Sequence, residues 1–200
     1  PARALVYRTY PLDVKNESIK RAFILVHGAG RDADNYFRHA LAAAFLGGAL
    51  EDTIVIAPRF ASNGGRTCRD VLGQGELNWK CDGSDTWRSG GASVDNDKIT
   101  SFDIADEILS KLARKETFPN LTAIVLAGHS AGGQFVTRYE MSNQVHDSLK
   151  IPITYIVANP SSYAYLDGLR PTSSALPTNV AANPPGYVAP PSANPPAPFV

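Results

Sequence analysis

The sequence predicts an α/β fold with a mostly parallel sheet, and two observations support this prediction. Short apolar runs rich in β-branched residues, bounded by Gly or Pro, occur at 22–28, 53–58, 123–128 and 153–159. Runs of this kind are typical of strands that are buried on both faces, as in a parallel sheet. Segments with helical spacing of apolar residues alternate with these runs, which is the pattern of βαβ units.

The remaining elements follow in chain order. The first segment, "ALVYRTYPL" at 4–12, alternates loosely and predicts an edge hairpin or a first strand. The segment 35–48 is rich in helix formers and is expected to stop at Gly47, in the C′ position. A second helix is predicted within 98–115, and a third over 133–145. One face of the second helix carries Ile99, Phe102, Ala105, Ile108, Leu109 and Leu112.

Two segments interrupt the alternation. Residues 60–97 are rich in Gly, Asn and Asp, and this long connection predicts a functional loop or lid. Residues 171–200 are Pro-rich and can form neither a helix nor a central strand. We therefore expect residues 1–170 to be the N-terminal part of a single domain, followed by an extended or disordered segment.

Composition excludes several functional classes. The 200 residues suffice for one domain, and 44% of them are apolar. Lys plus Arg and Asp plus Glu both number 19, so the balanced charge does not favour a nucleic-acid or anionic-membrane surface. No apolar run reaches the length of a membrane span. No cluster of His, Cys or carboxylates has metal-ligand spacing, so neither a metal nor a cofactor is implied.

The two cysteines favour an oxidising compartment. Cys68 and Cys81 would close a short polar loop, and a disulfide there is the preferred interpretation over two free thiols. Asn16 and Asn120 both begin N-glycosylation sequons, "NES" and "NLT". Together these features favour a secreted protein.

The residues "AIVLAGHSAGG" at 123–133 carry the strongest functional signal. Gly128, Ser130 and Gly132 fill the pattern G-x-S-x-G, with a buried strand before it and a helical pattern after it. In that context a serine lies on a tight strand-to-helix turn at the carboxyl end of the sheet, and small neighbours give the turn room. Ser130 is therefore predicted to be a nucleophile.

A second motif, "HGAGRD" at 27–32, follows an earlier buried strand. Acyl transfer needs donors aimed at the oxyanion of the tetrahedral intermediate. One donor is expected to be the N–H of Ala131, directly after the serine. The other is expected from the loop after the earlier strand, at Ala29 with Gly30 next to it.

The two motifs "FILVHGAG" and "VLAGHSAGG" resemble the α/β-hydrolase superfamily. Within it, the chain is similar to secreted esterase-like members of the polyhydroxyalkanoate-depolymerase and feruloyl-esterase type. The resemblance covers about residues 20–165 and implies a three-layer α/β-hydrolase fold. It also implies ester hydrolysis through an acyl-enzyme, with the triad in the chain order Ser, acid, His.

The histidines of the chain fit that order poorly. Only His146 follows Ser130, and it lies between the predicted third helix and the next strand, at the expected opposite end of the sheet. His27 adjoins the oxyanion loop and is expected to be structural. The side chain of His129 should point away from the serine's pocket, and His39 should be solvated on a helix.

The sequence also leaves the acid of the catalytic triad unassigned. Asp167 follows a predicted strand and is the best local candidate, whereas Asp147 shares the unfavourable position of His146. The last two strands of a hydrolase sheet, with the base histidine, are expected to be missing from this chain. We expect a companion chain to complete the fold, with truncation as the alternative.

Substrate contacts are suggested by two groups of residues. Trp79 and Trp87 lie in the long loop, where they either stack on a substrate ring or fasten the loop to the body. Ser161, Ser162 and Tyr163 follow a strand and either line the pocket or cap a loop.

Three functions remain open from the sequence. The preferred one is a secreted serine hydrolase that cleaves a carboxylic ester polymer or small molecule through Ser130. The second is a serine peptidase or amidase of the same fold. The third is a binding protein of hydrolase fold without catalysis, which the missing histidine favours.

Overall fold

The computed structural model describes residues 2–65, 67–83 and 86–166, and the backbone of two short strands at 170–171 and 187–188. The chain forms two compact units, Pro1–Tyr163 and Ala164–Val200. In the second unit, β6 (Arg170–Pro171) pairs antiparallel with β7 (Tyr187–Val188).

A five-stranded sheet forms the centre of the first unit. Its strands are β1 (Val6–Arg8), β2 (Arg21–Val26), β3 (Thr53–Pro58), β4 (Ala123–His129) and β5 (Ile153–Ala158). They lie in the order β1-β3-β2-β4-β5, and all neighbouring pairs are parallel except β1 with β3. The predicted mostly parallel α/β sheet is confirmed.

Helices cover both faces of this sheet, which gives three layers. They are α1 (Ala33–Leu46), α2 (Ser101–Leu112), α3 (Ala131–Ser142) and the single turn α4 (His146–Leu149). On one face, Ala40 and Ala44 of α1 form a small core with Val55. On the other face, the larger core joins β2, β3 and β4 to α2 and α3, with Leu109 and Phe135 fully buried.

The ends of α1 and α2 follow from their sequences. Gly47 has φ −78°, and it is Gly48 that adopts the left-handed φ of +64°. The αL residue after α1 is therefore one position later than expected, because Gly47 stays close to helical geometry. Helix α2 begins with a capping box in which Thr100 accepts from the Asp103 N–H and Asp103 accepts from the Thr100 N–H.

The long connection 60–97 is fastened to the body of the unit. Cys68 and Cys81 are joined by the predicted disulfide, with their Cα atoms 5.7 Å apart. Phe60 is buried, and the Trp79 N–H donates to the Ala61 carbonyl. The segment is thus held by packing and by a covalent link. No helix in the described part of the chain is long and apolar enough to cross a membrane.

Candidate active site at the carboxyl end of the sheet

Ser130 lies at the turn between β4 and α3, in a strained backbone conformation. Its φ is +59° and its ψ is −117°, a region that L-residues rarely adopt. The conformation is held from both sides, because the Ser130 N–H donates to the Ala158 carbonyl while the Ser130 carbonyl accepts from Gln134 and Ser161. The side chain is left half-exposed. Strain maintained by surrounding bonds in this way is typical of functional sites.

The glycines around Ser130 are required by close backbone contacts. A Cβ added to Gly128 would lie 2.2 Å from the Gly132 carbonyl oxygen. One added to Gly132 would lie 2.2 Å from the carbonyl oxygen of Val26, so the first turn of α3 sits directly on the end of β2. These contacts explain both glycines of the motif, since any side chain would force strand and helix apart.

Strand register places the loop after β2 beside Ser130. Val26 is paired with Gly128, so β2 and β4 end at the same level. The loop then turns through a hydrogen bond from the Arg31 N–H to the Gly28 carbonyl, which leaves Ala29 and Gly30 exposed. The two motifs that lie about a hundred residues apart in sequence therefore meet at one edge of the sheet.

Two backbone donors are available at this edge. Ala131 is the first residue of α3, so its N–H has no acceptor within the helix. Within the described residues, the Ala29 N–H also donates to no protein acceptor. The helix N-terminus adds partial positive charge behind Ser130. The predicted oxyanion donors thus lie on the two loops that the register brings together.

His27 is a structural residue with a defined tautomer. Its Nε2 atom accepts from the Phe60 N–H at 3.0 Å, so the proton must lie on Nδ1, which donates to the Gly28 carbonyl at 2.8 Å. The ring is completely buried against Trp87. Burial lowers the pKa of His27 to about 4, with a further contribution from the charge of Arg31, although the bond to Gly28 opposes the shift. His27 therefore stays neutral and fixes the start of the loop that carries Ala29 and Gly30.

Arg31 fastens the far end of the same loop, which the sequence did not reveal. Its guanidinium donates to the carbonyls of Phe60 at 2.5 Å and Lys80 at 3.1 Å, with a longer contact of 3.5 Å to Cys81. Arg31 itself has a φ of +58° and is 8% exposed. Burial lowers the pKa of its guanidinium. The loop that carries Ala29 is thus bonded directly to the disulfide-bearing segment.

Tyr36 of α1 is a second residue that the sequence did not single out. A Cβ added at Gly28 would lie 2.9 Å from the Tyr36 hydroxyl and 3.8 Å from the Ser130 Cβ, so both side chains flank Gly28. The Tyr36 hydroxyl lies 3.4 Å from Nδ1 of the exposed His129. Burial and the charge of Asp32 raise the pKa of Tyr36, so it remains a neutral hydroxyl at the site.

Residues after β5 also reach Ser130. The Ser161 Oγ lies 3.4 Å from the Ser130 Oγ, and the Ser161 N–H donates to the Ser130 carbonyl. Ser162 accepts from the Arg138 guanidinium at 3.0 Å. Tyr163 is 67% exposed. Among the predicted lining residues, Ser161 is the one in contact with the nucleophile candidate.

The tryptophans are not available to a substrate. Trp79 and Trp87 are 1% and 2% exposed and surround Phe60 in the aromatic part of the core, where Trp87 stacks on Phe60 with centroids 5.0 Å apart. The proposed stacking role is therefore wrong, and the alternative that they fasten the loop to the body is correct. Burial of these large rings against other aromatic rings stabilises the fold.

A sequence model of the alpha/beta hydrolase family matches residues 23–200. The match includes both motifs and most of the chain. The chain belongs to the alpha/beta hydrolase family. No curated protein matches it significantly.

Three solved hydrolases are similar to this alpha/beta hydrolase chain. A poly(3-hydroxybutyrate) depolymerase, LpqC, from Bordetella parapertussis is 19% identical, with 71% of this chain and 43% of that chain covered and a TM-score of 0.46. Poly(aspartic acid) hydrolase-1 from Sphingomonas sp. KT-1 is 25% identical, with 68% and 45% covered and a TM-score of 0.40. The siderophore hydrolase EstB from Aspergillus nidulans is 16% identical, with 71% and 48% covered and a TM-score of 0.34. The chain spans less than half the length of each.

The four histidines of the chain all lie among the described residues, and none of them forms a hydrogen bond with the Ser130 Oγ. His146 lies in α4, after α3 has run back from the carboxyl end of the sheet, and its Nδ1 is 2.9 Å from the Tyr155 hydroxyl. His39 is exposed on α1. Within the described residues, neither an imidazole nor a carboxylate lies within hydrogen-bond distance of the Ser130 Oγ. The acid candidate Asp167 lies outside the described residues.

Proposed function

We propose that this protein is a serine hydrolase that cleaves a carboxylic ester through an acyl-enzyme on Ser130. The Ser130 Oγ attacks the ester carbonyl, and a histidine base takes its proton. The N–H groups of Ala29 and Ala131 stabilise the oxyanion. The alcohol leaves with the proton from the histidine, and water then attacks the acyl-enzyme to release the acid and restore Ser130.

The observation that carries this proposal is the backbone at Ser130. A φ of +59° in a non-glycine residue is costly, and here it places a half-exposed hydroxyl ahead of the N-terminus of α3. A side-chain cap does not explain it, because Ser130 makes no capping hydrogen bond to the helix. Nucleophile presentation does explain the strain.

The base histidine is proposed to come from sequence outside these 200 residues. All four histidines lie at or before position 146, and none of them forms a hydrogen bond with the Ser130 Oγ. β5 is an edge strand of the sheet, and its apolar residues Ile156 and Val157 are 47% and 39% exposed. This exposure favours a further element of structure packed beside β5. Successive residues of a strand point to opposite faces, so both faces of β5 are incompletely covered.

An active-site probe tests the nucleophile. The complete protein, with any companion chain, is treated with a fluorophosphonate, and the labelled residue is located by peptide mass spectrometry. We expect labelling at Ser130 and its loss in Ser130→Ala, whereas Ser142→Ala on the same helix should keep it, because Ser142 is an exposed residue at the far end of α3. Absence of labelling at Ser130 in the complete protein would favour the binding protein without catalysis.

Intact mass tests the companion chain. The denatured active sample should contain a second polypeptide, or a longer chain, that carries a histidine. An active sample that consists of one 21.4 kDa species would refute the external base. Paired ester and amide substrates with the same acyl group then separate an esterase from a peptidase.

Secretion is proposed on the disulfide and on the two sequons. The Asn120 side-chain amide donates to the Glu17 carbonyl, and the Asn16 N–H donates to the Thr117 carbonyl, so both asparagines lie on one surface region. Treatment of protein from the native host with a glycosidase should lower its mass if either position carries a glycan. An unchanged mass would remove the sequons as support.

A further inference from the structure

An open surface cavity of about 310 Å³ lies against α3, the helix that begins directly after Ser130. It is lined by Gly83, Arg88, Ser89, Gln134, Arg138 and Ser162. A larger cavity of about 460 Å³ lies elsewhere, between the N-terminal segment and α2, and none of its lining residues belongs to the loops around Ser130.

Two walls of the 310 Å³ cavity are bonded to Ser130 through the backbone. The Ser130 carbonyl accepts from the N–H of Gln134, whose side chain lines the cavity. The same carbonyl accepts from the N–H of Ser161, and the next residue, Ser162, also lines the cavity. Gln134 is thus one helical turn from Ser130 along α3, and Ser162 directly follows a residue that is bonded to Ser130.

The polar groups of the cavity are almost all donors. The Ser89 Oγ accepts from both the Arg138 guanidinium and the Gln134 amide, so its own proton is left for another acceptor. The Ser162 Oγ accepts from Arg138 and is likewise left with a proton to donate. The Gln134 carbonyl is the one acceptor among these side chains. A ligand that binds there must therefore offer hydrogen-bond acceptors to these donors.

The charge of the cavity points the same way. Arg88 and Arg138 are both cationic, and no carboxylate of the described residues lies within ion-pair distance of either. Partial burial lowers the pKa of Arg138, and the charge of Arg88 lowers it further. Two guanidinium groups that repel each other in a partly dry site are stabilised by an anion between them.

We infer that this cavity binds a free carboxylate of the substrate, so that the enzyme prefers esters that carry a second, ionised carboxyl group. The inference rests on the proposed ester hydrolysis at Ser130 and names its substrate class. Guanidinium pairs bind carboxylates through parallel hydrogen bonds, and the two serine hydroxyls supply further donors.

Kinetics with matched esters test the preference. The p-nitrophenyl half-ester of succinic acid is compared with p-nitrophenyl pentanoate, which has a similar length and no charge. We expect the ratio of kcat/KM for the two esters to fall about tenfold or more in Arg138→Gln, because charge-assisted hydrogen bonds are lost. Arg88→Gln should lower the ratio in the same direction, and Arg138→Lys should retain more of it than Arg138→Gln.

A control variant and salt complete the kinetic test. Arg114→Gln removes an exposed arginine that does not line the cavity, and it should leave the ratio unchanged. Added salt should lower the wild-type ratio, because the attraction is between charges. A ratio that stays within about twofold of wild type in both Arg88→Gln and Arg138→Gln, with both variants folded by circular dichroism, would overturn the inference.

A binding measurement separates this inference from the proposed activity. Ser130→Ala protein is titrated with methyl hydrogen succinate and with dimethyl succinate by calorimetry. The charged ligand should bind more tightly, and Arg138→Gln in the same background should remove the difference. Equal binding of the two ligands refutes the carboxylate site. If instead the charged ligand binds selectively while no ester is cleaved, the cavity is confirmed and the ester hydrolysis fails.

Discussion

His27 should make the stability of this protein fall steeply in mild acid. The ring is completely buried, and both of its nitrogens have backbone partners, which a neutral imidazole satisfies. Protonation would place a second proton on Nε2, facing the Phe60 N–H, and would bring a charge into the aromatic core. Burial is accordingly the main reason that the pKa of His27 is lowered to about 4.

The magnitude follows from linkage between protonation and folding. In the unfolded chain His27 titrates near its ordinary pKa of 6.5, so the unfolded state binds a proton that the folded state refuses. Stability is therefore unaffected above pH 6.5, falls as the pH drops from 6.5 to about 4, and then levels off. The whole window corresponds to about 3 kcal/mol of unfolding free energy, since one pKa unit is about 1.4 kcal/mol.

Urea unfolding between about pH 7 and pH 4.5 measures this loss. His27 alone should account for about 2 kcal/mol over that range. His27→Gln can still donate and accept, so it should fold and should show a pH dependence that is weaker by this amount. His39→Gln, which changes an exposed histidine, should keep the wild-type dependence. Parallel pH profiles for wild type and His27→Gln would refute the assignment of His27 as a buried neutral imidazole.

Three further predictions concern packing and covalent links. Gly132→Ala places a Cβ against the backbone of β2, so it should lower the free energy of unfolding by roughly 1–3 kcal/mol and abolish probe labelling. Gly64→Ala, whose added Cβ would have no neighbour closer than 3.8 Å, should change neither stability nor labelling. Replacement of Cys68 and Cys81 by serine should cost about 3 kcal/mol in urea, and a reductant should then have no further effect on the variant. Trp87→Ala should cost about 3–5 kcal/mol by the same assay, and a cost below 1 kcal/mol would contradict its place in the core.

The elements of the sheet could be predicted from local sequence because each carries its own pattern. The run at 53–58 became β3 with all six residues buried, and the run at 123–128 became β4. The turn at Ser130 is also locally encoded, because a side chain at Gly128 or Gly132 would collide with the backbone where α3 starts directly after β4. The local sequence does not distinguish Gly47 from Gly48 as the αL residue after α1, since two adjacent glycines can each adopt this conformation.

Residues without periodic patterns could not be placed in this way. Trp79 and Trp87 lie in an irregular segment, where nothing in the sequence separates a buried ring from an exposed one. Arg31 depends on carbonyls that lie about thirty and fifty residues away, so its partners exist only after the chain has folded. The same is true of Tyr36 and of the cavity between Arg88 and Arg138.

The sequence by itself therefore determined the α/β class and the strained turn at Ser130. These features depend on residue types and short-range spacing, which a linear chain displays directly. Only the tertiary structure decided which loops meet at Ser130, that the tryptophans belong to the core, and that His27 and Arg31 hold the loop of Ala29 and Gly30. The physical reason is that burial and hydrogen-bond partners arise from strand register and packing, which join residues far apart in the chain.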